Sequence, residues 1–106
     1  MKTHNIHIGG GQRVNPEEVI LLQANVNYTV LFFTNGKKAV VATTLKLLES
    51  LFLPFDFFRT HKSYLVNLKC IQTFSEATNT IQMTDNHTVT VSRRKRLKLK
   101  EELSFI

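Results

Sequence analysis

Three polar segments interrupt an otherwise apolar, strand-rich chain of 106 residues: Asn25-Val26-Asn27, Arg59-Thr60-His61-Lys62-Ser63 and Ser92-Arg93-Arg94-Lys95. Their side chains are hydrogen-bond donors and cations, the inventory that reads a nucleic-acid duplex. Lys62 and Arg93 can donate to guanine O6 and N7. Asn27 can pair with adenine, and the neighbouring Thr29 offers a methyl or a hydroxyl. Ser63, His61 and main-chain amides can hold phosphate oxygens.

The charge points the same way. Fourteen Lys and Arg oppose eight Asp and Glu, a net charge of +6. Six of the fourteen lie in SRRKRLKLK (residues 92–100), leaving eight basic against eight acidic residues elsewhere. So local an excess suits an anionic partner docking at one place; a solvated cationic tail is the plainer alternative. A helix capped by Ser92 would put Arg93, Arg94 and Lys95 at the positive end of its macrodipole. Each cation there costs about 0.3–1 kcal/mol. An anion in front of that turn reverses the sign, which favours a nucleic-acid role.

Other chemistries lack their parts. His4 and His7 sit three apart on a strand-like stretch and face opposite sides, and no His/Cys/Asp cluster has ligand spacing. Gly9-Gly10-Gly11 is not followed by Gly-Lys-Ser/Thr, so it reads as a turn rather than a phosphate cradle. The single cysteine, Cys70, excludes an internal disulfide. It falls in the apolar stretch Leu68 to Ile71 and reads as a buried, inert thiol without a partner base. No nucleophile–base pair or carboxylate pair stands out, so no catalysis and no cofactor are expected.

These segments need a scaffold, and the hydrophobic pattern supplies one. Ile6 and Ile8 alternate, Val19 to Leu22 is a short buried-strand candidate, and Tyr28 to Phe33 and Lys38 to Ala42 flank Asn35-Gly36. That pair predicts a type I′ hairpin, with positive φ at both central residues. Residues 44–53 switch to helical period, with Leu45, Leu48 and Leu51/Phe52 on one face, Thr44 as cap and Pro54 as stop. Tyr64 to Val66, Lys69 to Phe74, Thr80 to Met83 and Thr88 to Val91 read as strands, with Asp85-Asn86 as a turn; Ser92 caps a last helix carrying Leu99 and Leu103. The expectation is one mostly β domain over residues 1–106, of about ten short strands in small, mainly antiparallel sheets with two short helices. Each polar segment then lies at a strand end, where a β scaffold presents side chains to partners. Absence of an apolar leader or an 18-residue apolar run predicts a cytoplasmic protein without a membrane partner.

Three stretches together resemble LytTR DNA-binding domains. ILLQANVNYTVLFFTNGK is similar to their opening, an apolar strand, Glu-Ala, a short loop, Asn-Tyr-Thr and a hairpin with Gly. TLKLLESLFLPFDFFRTHKSYLVNLKCI is similar to their middle, where a helix leads to a Phe-Arg-His-(Arg/Lys)-Ser motif, matched at Phe58, Arg59, His61, Lys62, Ser63, Tyr64, Val66 and Asn67. HTVTVSRRKRLKLKEEL resembles their ending. The likeness runs from about Ile6 to Leu103; Gln23 stands where the family often has Glu.

The resemblance implies an elongated set of small sheets without a recognition helix, whose loops enter successive major grooves. Carried over by position, the base readers would be Thr29, Lys62 and Arg93. Asn27, Tyr28, His61, Ser63, Ser92, Arg94 and Lys95 would be flanking backbone contacts or supports. It further implies bacterial transcription regulation in a response-regulator-type, two-component phosphorelay system. The partner would be promoter DNA with paired direct repeats, bound as a dimer, and a receiver domain or sensor protein would lie elsewhere. A stand-alone regulator and an excised output domain both accommodate the sequence. So do two roles for Arg59 and His61, orienting the loop or touching DNA, while Tyr28 and Tyr64 suit the core better than a stacking platform. The competing function is an RNA- or single-strand-binding β module, which would interleave aromatics with its cations; none stands between Arg93 and Lys100.

Overall fold

The apolar run Val19 to Leu22 is continuous because the sheet that contains it is covered on both faces. A computed structural model describes residues 4–104. Five strands form the central antiparallel sheet: β3 (Val19–Asn25), β4 (Tyr28–Phe33), β5 (Lys38–Val41), β6 (Phe57–His61) and β7 (Tyr64–Asn67). Their order is β5-β4-β3-β7-β6. One face packs against helix α1 (Leu45–Phe52) and the hairpin of β1 (Ile6–Gly9) and β2 (Gln12–Val14). The other packs against a three-stranded sheet of β8 (Ile71–Ser75), β9 (Thr80–Met83) and β10 (Thr88–Thr90), and against helix α2 (Arg96–Leu103).

Strand alternation divides the apolar residues between these two cores. Phe57 and Leu65 join Leu45, Leu48 and Phe52 on the α1 side, whereas Phe58 and Val66 join Ile81, Met83, Val89 and Leu99 on the other. A bulge between Val19 and Leu21 sends Ile20 and Leu21 to the second core and returns Leu22 to the first.

The mostly β class, the ten strands and both helices match the expectation; several local details differ. The pair of positive φ angles that a type I′ hairpin needs is found at Gly10 (59°) and Gly11 (74°), joining β1 to the unforeseen β2. At the expected place, Asn35-Gly36, only Gly36 has positive φ (84°). There Gly36 N–H donates to Phe33 O and Phe33 N–H to Lys37 O, a three-residue loop closed by a left-handed glycine. The β9–β10 turn repeats this construction with Asn86 (φ 74°) in the glycine's place. In both, a side chain one residue earlier, Asn35 or Asp85, accepts from the amide after the left-handed residue.

Helix α1 starts as expected, with Thr44 Oγ1 accepting from Leu47 N–H, and buries Leu45, Leu48 and Phe52. Leu51 is exposed instead. Cys70 lies in a 3-10 turn, Leu68–Cys70, rather than in a strand, and is half-buried. Its turn is capped by the buried Asn67, whose amide also donates to Val19 O. The last helix likewise begins later than expected. Arg93–Lys95 forms a 3-10 turn, α2 starts at Arg96, and the Ser92 hydroxyl makes no capping bond. Lys95 N–H bonds to the Ser92 carbonyl instead, so the three cations sit on a tight turn rather than in an α-helical first turn.

Candidate nucleic-acid interface

The segment Arg59 to Ser63 is not an open loop. β6 continues to His61, β7 starts at Tyr64, and only Lys62 and Ser63 form the tip. A bulge between Arg59 and His61 inserts Thr60 as the extra residue. Thr60 is fully buried, its hydroxyl lacks a partner among the described residues, and its carbonyl accepts from Ser92 N–H at 2.8 Å. On the other side of the tip, Ser63 O accepts from Ala24 N–H, also at 2.8 Å. Two main-chain bonds thus bring all three polar segments together: the β3–β4 turn, the β6–β7 tip and the β10–α2 connection.

Two open hollows of about 410 Å³ each lie along this junction. The first is walled by the β3–β4 turn and the start of α1, including Asn27, Tyr28 and Lys46. The second is walled by Glu49, His61, Ser92, Arg94 and Lys95. Arg59 and Lys62 line both and form the ridge between them.

Unpaired positive charge is exposed here. Lys62, Arg93 and Arg94 are exposed and have no ion-pair partner among the described residues. Lys98 and Lys100, farther along the basic stretch, are drawn into pairs with Glu101, Glu102 and Glu76 at 3.2–3.8 Å. Within the basic stretch the unpaired charge is thereby left at its start, Arg93 to Arg96, beside the β6–β7 tip; Arg13, Lys37, Lys38 and Lys46 are exposed without an ion-pair partner elsewhere among the described residues. Lys95 is half-buried, with its ammonium 5.8 Å from the Phe58 ring centroid, a cation–π contact that holds the turn down on the sheet.

The expected site residues separate into two sets. Asn27, Tyr28, Lys62, Arg93 and Arg94 are exposed; His61, Ser63, Ser92 and Lys95 are half-buried beside them. Arg93 is adjacent to the second hollow without lining it. Thr29 is a correction. It is 1% exposed, and its hydroxyl donates to Thr43 O at 2.7 Å. Alternation along β4 turns Thr29 inward and leaves Tyr28, before it, facing out, so Thr29 cannot meet a base in this arrangement.

His61 and Arg59 both act on the tip. His61 Nδ1 accepts from Ser63 N–H at 3.2 Å, which assigns the proton of a neutral ring to Nε2. Arg59 folds back instead of reaching out. Nε donates to His61 O at 3.0 Å and Nη2 to Lys62 O at 2.6 Å, while Nη1 meets Glu49 Oε1 at 2.8 Å. Reading the sequence missed Glu49 and Lys46. The available signal for Glu49 was an arginine in an apolar strand, since a partly buried guanidinium needs a carboxylate.

Tyr64 is half-buried against the second core, and Tyr28 has only a long contact, 3.4 Å, from Asn25 Nδ2 to its hydroxyl. Burial pushes the Cys70 thiol above its ordinary pKa, and a hydrogen bond from Thr84 offsets part of the rise. Among the described residues no helix is long and apolar enough to cross a membrane.

Comparison with known proteins finds a family model and solved structures that match. A family model described as the LytTr DNA-binding domain covers residues 12–104. Among solved structures, the LytTr DNA-binding domain of a putative methyl-accepting/DNA response regulator from Bacillus cereus is similar, with a TM-score of 0.76 and 21% identity over 99% of each chain. At that identity the likeness concerns the fold. No curated protein matches.

Proposed function

This chain belongs to the LytTr DNA-binding domain family, and from that membership we propose that it binds double-stranded DNA sequence-specifically to regulate transcription. Lys62 at the β6–β7 tip and Arg93 at the basic turn read bases from the major groove. Asn27 and Tyr28, from the β3–β4 turn, reach the adjoining stretch. Arg94 and Lys95, with Ser92, hold phosphates, and His61 and Ser63 keep the tip in shape. Promoter DNA with paired direct repeats, occupied by two copies, is the target. A receiver domain or sensor acting on a response regulator supplies the signal.

The observation that carries this reading is the convergence of the exposed Lys62, Arg93 and Arg94, unpaired among the described residues, on one junction, with Lys98 and Lys100 of α2 drawn into pairs with glutamates. A duplex is favoured over RNA or single strands because the free cations lack interleaved aromatic platforms; Tyr28 is the exposed ring beside them.

Selection of bound duplexes from a random pool is the test. A repeated short motif is expected, and affinity should fall with salt by about 0.9 log units per log unit for each neutralised phosphate. Arg93→Ala should cost about 1–3 kcal/mol, chiefly at one base pair. Recovery of no motif, equal loss on selected and random DNA for Arg93→Ala, or stronger competition by RNA than by duplex would contradict the reading.

A further inference from the structure

Among the described residues, Glu49 is the only acidic side chain lining either of the two hollows. A carboxylate facing phosphates weakens binding, so its presence in a cationic hollow calls for a reason. Its partner supplies one. Arg59 lies on the α1 face of the sheet, two residues after Phe57, and directs all three guanidinium nitrogens inward, to Glu49 and to the carbonyls of His61 and Lys62. The two side chains are only 19% and 27% exposed, yet Arg59 borders both hollows.

We propose that Glu49 is a positioning residue for base reading, holding Arg59 against the β6–β7 tip and away from phosphate. The inference rests on the duplex-binding reading above. Two consequences follow from the geometry. The planar fork joins two successive carbonyls to a helix, so the tip cannot pivot and Lys62 projects in one direction. The charge of Arg59 is satisfied internally, so it adds nothing to sequence-independent affinity. Freed of its carboxylate, the same guanidinium would sit uncompensated between the hollows, within reach of a phosphate, while Lys62 lost its fixed direction. A base contact would be exchanged for a backbone contact.

The experiment compares wild type, Glu49→Ala, Glu49→Gln and Arg59→Lys on the selected duplex and on random duplex, over a range of salt, with thermal melting alongside. Glu49→Ala should lower the selected-to-random affinity ratio at least about fivefold, the lower end of one base contact. Its affinity for random duplex should rise, and its salt slope should steepen by about 0.9, one added phosphate. Glu49→Gln keeps an oxygen to accept from Nη1, so its ratio should stay within about twofold of wild type. Arg59→Lys keeps the charge but cannot bridge three acceptors in a plane, so it should lose the ratio as Glu49→Ala does.

An unchanged ratio and slope in Glu49→Ala, with a lowered melting temperature, would overturn the proposal and reduce the pair to a helix-to-sheet tie. So would equal loss on both duplexes. Should Glu49→Ala fail to fold, an undiminished ratio in Arg59→Lys overturns it. Wild type showing no preference for any duplex would instead remove the functional reading, and this inference with it.

Discussion

Thr29→Val separates a structural threonine from a base-reading one. The substitution keeps the β-branched shape and removes only the hydroxyl, which donates to Thr43 O at 2.7 Å from a position 1% exposed. Thr43 in turn donates to Ile8 O, so one short chain of bonds ties β4 to the connection before α1 and to β1. Valine leaves the Thr43 carbonyl without its donor. An unsatisfied buried acceptor costs about 1–3 kcal/mol, and the half-burial of Thr43 favours the lower part of that range, about 1–2 kcal/mol. For a chain of this size, each kcal/mol moves Tm by roughly 4–8 °C, so melting should fall by roughly 5–15 °C. Urea titration should show an earlier midpoint with an unchanged slope. Discrimination between selected and random duplex, measured well below the melting range, should stay within about twofold of wild type. Unchanged melting together with a tenfold loss of preference at a single base pair would refute the reasoning, because it would require the Thr29 side chain to face DNA.

Two further outcomes test the scaffold. Leu99 is the only fully buried residue of α2, so Leu99→Ala should cost about 2–5 kcal/mol in urea denaturation, the range for a core leucine; a loss below about 1 kcal/mol would mean that α2 is not docked on the second core. The Cys70 thiol is pushed above its ordinary pKa by burial, and the thiolate is the form that alkylates. Its modification should therefore speed up continuously as pH rises through about 9 and become faster still in denaturant, whereas a rate that levels off near neutral pH would contradict the burial.

How much could be read before folding depended on the range of the interaction involved. Asn35-Gly36 announced a hairpin correctly, because a positive-φ residue between two apolar runs is a local demand. Its turn type was misread because one positive φ at Gly36 satisfied the loop once an extra residue was included. The two φ > 0 positions lay at Gly10-Gly11, where β2 is only three residues long and carries a single buried side chain, too short a signal to find by periodicity. Thr44 as cap of α1 was legible for the same local reason. Ser92 was equally plausible as a cap, yet its carbonyl rather than its hydroxyl receives the Lys95 amide. The cationic site was visible as a run of charge, but Glu49 was not. Ten positions separate it from Arg59, and nothing in either segment specifies that α1 crosses the face on which Arg59 emerges.

Taken alone, the order of residues determined the β-rich class, the turns at Asn35-Gly36 and Asp85-Asn86, the place of α1 and the concentration of positive charge near residue 93. Each of these follows from neighbours a few positions apart: alternation, caps, turn residues and counted charges. Tertiary structure alone decided which way the side chains of those strands face. Bulges at Ile20 and Thr60 shift the alternation by one residue, the pairing of β3 with β7 brings Ser63 to Ala24, and the packing of α1 supplies a carboxylate to Arg59. The period of a strand is two, so a single inserted residue exchanges inside for outside beyond it. Thr29, by contrast, turned inward within a regular strand, because the covering layer lies on its side of β4 and not on that of Tyr28.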